Sequence, residues 1–103
     1  MAKRSADWNE GLAQDLRNPE FAREFLLAAV DEGVAVQRAL GKVIRAMGVK
    51  EYAELTGMAS SNVLRAIRAR HNPTQATLNR MLKPFGLKLS VALIPPENDK
   101  QAA

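Results

Sequence analysis

The side chains best suited to chemistry lie between positions 50 and 72 of this 103-residue chain: Lys50, Ser60, Ser61, Arg65, Arg68, Arg70, His71 and Asn72. A guanidinium is a planar fork of donors that matches paired acceptors, such as O6 and N7 of guanine or two oxygens of a phosphate. A serine hydroxyl both donates and accepts, so it can meet a base edge but discriminates weakly. Hydrolysis by a Ser–His–Asp set would have to join His71 to Ser60 or Ser61, and no carboxylate lies close to them in sequence. His71 is the only histidine, and cysteine is absent. A histidine-cluster metal site, a disulfide and a thiolate nucleophile are therefore excluded. No glycine-rich phosphate loop is present. The residues predict a protein that is not an enzyme and needs neither cofactor nor metal.

The charge distribution points the same way. The net charge is +4, but residues 1–36 carry four basic and seven acidic side chains, whereas residues 37–103 carry eleven basic and four acidic. An acidic first third followed by a basic remainder fits a polyanionic partner for the second part. No apolar run approaches the roughly 18–20 residues that span a bilayer, and the basic N-terminus is not followed by the apolar stretch of a secretory signal. A cytoplasmic location with no membrane partner is expected.

Mainly helical elements must position these residues. Aromatic residues make up only 5% of the chain, which leaves the core to Ala, Leu, Val, Ile and Met. Asp7 and Glu10 suit the start of a short helix reaching Leu16. Asn18-Pro19-Glu20 is a stronger start signal, with a cap, a first-position proline and a first-turn acid. That helix is expected over Pro19–Glu32 with Phe21, Phe25, Leu26 and Ala29 inward, ended by Gly33. The next is expected over Val34–Met47 with Val36, Leu40, Val43, Ile44 and Met47 inward, ended by Gly48. Short helices follow over Lys50–Leu55 and Ser60–Arg68. Thr74 caps another through Leu82 or Lys83, with Leu78, Met81 and Leu82 inward, and Pro84 and Gly86 stop it. The period then changes to two: Leu87, Leu89, Val91 and Leu93 alternate with Lys88, Ser90, Ala92 and Ile94, the pattern of a strand over residues 87–94. Residues 1–6 and 95–103 read as flexible tails around a single domain, residues 7–94.

The spacing within Val49–Arg68 is that of a helix-turn-helix. Ala53 supplies the small residue at the helix crossing, Gly57 the positive φ of the turn four positions later, and Val63 and Ile67 the apolar contacts of the second helix, with Met58 in the turn and Tyr52 across the crossing. If Val63, Ala66 and Ile67 face inward, the 100° step turns Ala59, Ser60, Ser61, Leu64, Arg65 and Arg68 outward. In this motif the second helix enters the major groove. Arg65 then suits a guanine, and Leu64 suits either a thymine methyl or burial against a neighbouring helix. Arg68, Arg70, His71 and Asn72 suit phosphate oxygens, as does Lys50 near the start of the first helix; a solvated loop position is the other reading of His71.

The run Ala39-Leu40-Gly41-Lys42-Val43-Ile44-Arg45-Ala46-Met47-Gly48 resembles the approach to this motif in the addiction-module antidote proteins. So do Tyr52 to Met58, Leu64 to Ile67, Asn72-Pro73-Thr74, Thr77-Leu78 and Phe85 to Leu89. These are small antitoxins of the HigA type with a Cro/cI (lambda-repressor-like) helix-turn-helix, and the resemblance spans about residues 20–93. It implies a five- to six-helix domain of that fold and an antitoxin encoded beside a RelE-like, messenger-RNA-cleaving toxin, which it would bind while repressing its own operon. A stand-alone prophage-type regulator without a toxin is the alternative.

A single strand leaves unpaired amides and carbonyls on both edges, a template for another chain. Pairing with the same strand of a second copy, through Leu87, Leu89, Val91 and Leu93, would give a homodimer. Two-fold symmetry would then place two recognition helices roughly 34 Å apart on a palindromic operator. The N-terminal helices, with Phe21 and Phe25, are the alternative dimer or toxin surface; ordinary core is the other reading of those phenylalanines.

Overall fold

The structure, a computed structural model, describes residues 11–12 and 14–95. The expected tails at residues 1–6 and beyond Pro95, and the Asp7 helix start, lie outside or at the limit of the described residues. Residues 11–12 and 14–16 are helical. Five α-helices follow: α1 (Pro19–Asp31), α2 (Val36–Met47), α3 (Val49–Thr56), α4 (Ser60–Ala66) and α5 (Gln75–Leu82). A 3-10 turn over Lys83–Phe85 closes the series.

The local start signals act as the side chains dictate. Asn18 Oδ1 accepts from the amides of Glu20, at 2.9 Å, and Phe21, at 3.5 Å, and Pro19 occupies the first turn. Thr74 Oγ1 accepts from the Thr77 amide at 3.1 Å and starts α5. Helix α2 begins two residues later than its apolar pattern suggests: Ala35 is extended and offers no side-chain cap. Gly48 serves both neighbouring helices. Its amide donates to Ile44 O, its carbonyl accepts from the Tyr52 amide, and its φ is +100°. One residue therefore separates α2 from α3.

Helix α2 is the centre of the core. Ala39, Leu40, Val43 and Ile44 are buried on it, and it packs against α1, α3 and α5. The core is completed by Leu16, Ala22 and Leu26 from the N-terminal side, Tyr52 and Ala53 from α3, Val63, Ala66 and Ile67 from α4 and its C-cap, and Met81, Leu82 and Phe85. The inward stripe of α1 differs from the expected one. Ala22 and Leu26 are buried and Phe25 and Ala29 half-buried, while Phe21 is exposed. A rotation of one 100° step separates the two stripes, so Ala22 takes the inward position and Phe21 the solvent.

The expected strand over residues 87–94 is absent: no strand occurs among the described residues, and 87–95 have no regular secondary structure. A strand exists through a neighbour that completes its ladder, and the described residues supply none. The Leu87 amide donates to Leu82 O at 3.2 Å and the Leu89 amide to Asn79 Oδ1 at 2.7 Å, so both turn back toward α5. Leu87 and Leu89 are packed against the core, whereas Val91 and Leu93 are each 97% exposed. The four residues expected to form one dimer face are thus split between own-chain packing and solvent.

Candidate nucleic-acid interface

Helices α3 and α4 meet through a turn built on Gly57. Its φ of +72° and ψ of 15° are left-handed, the conformation a β-carbon resists. Thr56 makes the turn's other bonds: its hydroxyl donates to Ala53 O at 3.2 Å and accepts from the Met58 amide at 3.2 Å. Arg80 of α5 donates through Nη2 to Gly57 O at 3.3 Å, which ties the turn to the next helix.

Tyr52 fixes α3 from beneath. Its ring is fully buried and stacks on Phe85 at a centroid distance of 6.2 Å, and its hydroxyl donates to Met81 O. Burial pushes the phenol well above its ordinary value of about 10, so the group is a neutral donor throughout the physiological range.

Helix α4 is held by Val63 and Ala66, with Ile67 at its C-cap, all three buried. The opposite face is open. Ala59, Ser60, Ser61, Leu64, Arg65 and Arg68 are exposed, Leu64 at 43%. The helix ends at Ala66, two residues before the expected Arg68: the Ile67 amide still makes an i→i−4 bond, to Val63 O, but the Arg68 amide bonds to Arg65 O in a tighter i→i−3 turn. Arg68 therefore belongs to the following loop, beside Arg70, His71 and Asn72, all exposed. The His71 amide donates to Arg68 O at 3.0 Å, which closes that loop on itself. Lys50 is exposed in the first turn of α3, within the same two-helix unit.

One positioning residue has no counterpart in the sequence reading. Gln37, half-buried in the first turn of α2, places Nε2 2.7 Å from Ala66 O, 2.7 Å from Arg68 O and 2.8 Å from His71 O. A carboxamide has two N–H groups, so it shares them among three carbonyls. These carbonyls belong to the C-terminal end of α4 and the basic loop after it. Gln37 thus ties the loop to the rigid central helix. A polar residue beside an apolar stripe was the only signal in the sequence, and it reads equally well as a solvated position. Arg17, which donates to Ala46 O at 3.3 Å, docks the N-terminal segment on α2 in a similar way.

The geometry is therefore a supported, outward-facing short helix with small polar residues at its start, Arg65 at its end and a tethered basic loop. No group of three or more metal-ligating side chains occurs among the described residues, and no described helix is long and apolar enough to cross a membrane. A sequence model of a family described as probable addiction module antidote protein matches residues 9–93, most of the chain. The chain belongs to the addiction-module antidote family. Searches of curated proteins and of solved structures find no significant match. Antidotes of this family are not enzymes, and an antidote implies a toxin as partner. The match covers all five helices and the segment through Leu93 and leaves the last ten residues outside.

Proposed function

We propose that this antidote is a DNA-binding antitoxin that acts in the cytoplasm as a homodimer, neutralises a RelE-like toxin and represses its own operon. The observation that carries the DNA-binding part is the two-sidedness of α4, buried through Val63 and Ala66 and open through Ser60, Ser61, Leu64 and Arg65. Read as a Cro/cI-type helix-turn-helix, α3 crosses the DNA backbone and α4 enters the major groove. Ala59, Ser60 and Ser61 are small enough for close approach, Leu64 meets a thymine methyl, and Arg65 spans guanine O6 and N7. Lys50, Arg68, Arg70, His71 and Asn72 hold phosphates, which set register without reading sequence. A dimer carries two such helices to the halves of a palindromic operator.

Fluorescence-anisotropy titration against the DNA upstream of the gene tests this reading. Affinity should fall linearly with salt on a logarithmic plot, because each phosphate contact releases counterions. Arg65→Ala should cut the operator-to-scrambled ratio by about 1–3 kcal/mol, roughly 5- to 150-fold. An unchanged ratio would show that α4 is not the reading helix. Co-purification with the product of the adjacent gene, and relief of its toxicity on co-expression, test the toxin partner.

A further inference from the structure

The charged residues of α2 are Arg38, Lys42 and Arg45, all basic and all exposed. At 100° per residue they share about 60° of arc on one face of the helix. Like charges four residues apart on a helix repel one another, and no acidic residue occurs in Val36–Met47 to offset them. Gln37 and Gly41 lie beside this face, on the side toward α4. Gln37 holds the carbonyls of Ala66, Arg68 and His71, and Gly41 lies against Ile67. The basic face of α2 therefore borders the place where the end of α4 rests on it.

Gly41 is buried inside α2, and its φ is not positive. A glycine inside a helix weakens it relative to alanine. The neighbouring helix does not require one here: an added β-carbon at Gly41 would meet Ile67 Cβ at 3.7 Å, an ordinary contact. What it would strike is Arg45 Nη1, at 2.9 Å. Arg45 lies one turn further on, and its side chain leans back toward the helix N-terminus, as helical side chains do, until the guanidinium covers Gly41. Gly41 is thus the seat of Arg45. The seat puts the cation beside Ile67, the C-cap of α4, and away from the last carbonyls of α2. Among the described residues the arginine side chains that donate are Arg17, to Ala46 O, and Arg80, to Gly57 O; Arg45 is not one of them, and its N–H groups remain free for a ligand.

We propose that Arg45, seated by Gly41, is a phosphate contact of the DNA complex, and that the interface extends past the helix-turn-helix onto α2. This rests on the DNA-binding reading above and adds a surface to it. Charge selects the occupant. A phosphodiester backbone presents closely spaced single negative charges, and the fork of Arg45 matches two oxygens of one phosphate. Arg45 joins the exposed Arg68 and Arg70 at the end of α4, and Lys42 and Arg38 continue the track along α2. Arg45 leads, because Arg38 and Lys42 line a shallow cleft together with Glu32, whose carboxylate offsets part of their charge. A contact of this kind adds affinity and sets register without reading bases.

Anisotropy titrations of the full-length protein over a range of salt concentrations, with operator and with scrambled DNA, test the inference. Each phosphate contact contributes about 0.9 to the slope of log affinity against log salt. Arg45→Ala should flatten the slope by about that much per bound protomer and weaken both DNAs alike, by about eightfold per protomer at 0.1 M salt. Arg23→Ala, which removes an exposed charge from α1, should leave the slope unchanged. Gly41→Ala keeps every charge and unseats the guanidinium. It should raise the melting temperature by about 2–8 °C, because alanine favours the helix, and yet weaken DNA binding. In the Arg45→Ala background the same change should cause no further loss of binding. A merely structural Arg45 would move the melting temperature and not the slope. An unchanged slope for Arg45→Ala, or wild-type affinity for Gly41→Ala, would overturn the inference while the DNA-binding reading stands. If wild type shows no salt-dependent DNA binding, both fail.

Discussion

Replacing Gln37 by leucine tests whether the basic loop is held by α2 or merely lies near it. Leucine keeps roughly the apolar volume of the side chain and removes its two N–H donors. Of the three carbonyls served by Nε2, that of Ala66 makes the part-buried bond, whereas the bonds to Arg68 and His71 are exposed. A net intramolecular hydrogen bond is worth about 0.5–1.5 kcal/mol, and exposed carbonyls regain water when their donor is lost. The expected loss of stability is therefore about 1 kcal/mol. For a domain of roughly this size that lowers the melting temperature by about 4–8 °C. Thermal circular dichroism at fixed protein concentration reads it, since the proposed dimer would make the transition concentration-dependent.

The functional consequence is more specific than the loss of stability. Under the proposed DNA-binding role, the loop from Arg68 to His71 would, without the tether, have to be ordered at the moment DNA binds. A cost of about 1 kcal/mol there weakens binding roughly fivefold. The loss should be equal for operator and scrambled DNA, because the start of α4 is held independently by the Gly57 turn and by Val63. An unchanged melting temperature would refute the claimed bonds. A lowered operator-to-scrambled ratio would refute the division between a loop that positions and a helix that reads.

Three further substitutions probe separate parts of the same assembly. Tyr52→Phe leaves Met81 O without its donor inside the core and should cost about 1–3 kcal/mol; its urea midpoint should fall accordingly. The phenol is held above its ordinary value of about 10, so below pH 10 the raised value costs nothing. Above it the unfolded chain releases the proton first, and stability falls by about 1.4 kcal/mol per pH unit. Tyr52→Phe should remove that Tyr52 contribution to the alkaline slope, as measured by denaturation between pH 9 and 11. Gly57→Ala should lose about 1–2 kcal/mol through its left-handed backbone, with no steric term, because the nearest atom to an added β-carbon is Arg80 Nη2 at 3.8 Å; the urea m-value should stay constant while the midpoint drops. Arg70→Ala should leave the melting temperature unchanged and reduce the salt dependence of DNA binding by about one phosphate's worth, without altering sequence preference.

What the sequence disclosed and what it withheld divide by range. Asn18, Thr74 and Gly57 act on residues within four positions of themselves, and each could be read from its neighbours. The contacts that assemble the interface cross 23 to 34 residues: Arg80 to the Gly57 turn, and Gln37 to Ala66, Arg68 and His71. A glutamine in the first turn of an amphipathic helix has no local pattern that announces three distant carbonyls. Phe21 failed for a related reason. Its spacing to Phe25 is helical, but so is that of Ala22 to Leu26, and only the packing partner decides which pair turns inward. The alternation after Gly86 correctly separated Leu87 and Leu89 from Lys88 and Ser90 in burial. Period two fixes faces, however, and contains nothing about whether a pairing strand exists.

The division of labour among the elements bears on how so small an antidote could serve several partners. The α4 face and basic loop are supported from behind by α2, α3 and α5, through Gln37, Tyr52 and Arg80. An open groove lined by Leu26, Leu27, Val30, Leu87 and Leu89 uses α1 and the segment after Gly86. The two surfaces thus expose different elements, with α2 and α5 lying behind both. A partner on α1 therefore need not displace DNA, and the acidic residues of the first third need not approach the phosphates. The prediction that follows is independence. Val91→Asp with Leu93→Asp should reduce operator affinity only through loss of the second half-site, leaving the affinity of one protomer for a half-site within about 0.5 kcal/mol of wild type, as expected for distant sites without shared partners. Half-site titrations of wild type and variant measure this. A substantial loss of half-site affinity would show that the groove and the reading helix are mechanically coupled through α2 or α5, and separate surfaces would no longer describe the molecule.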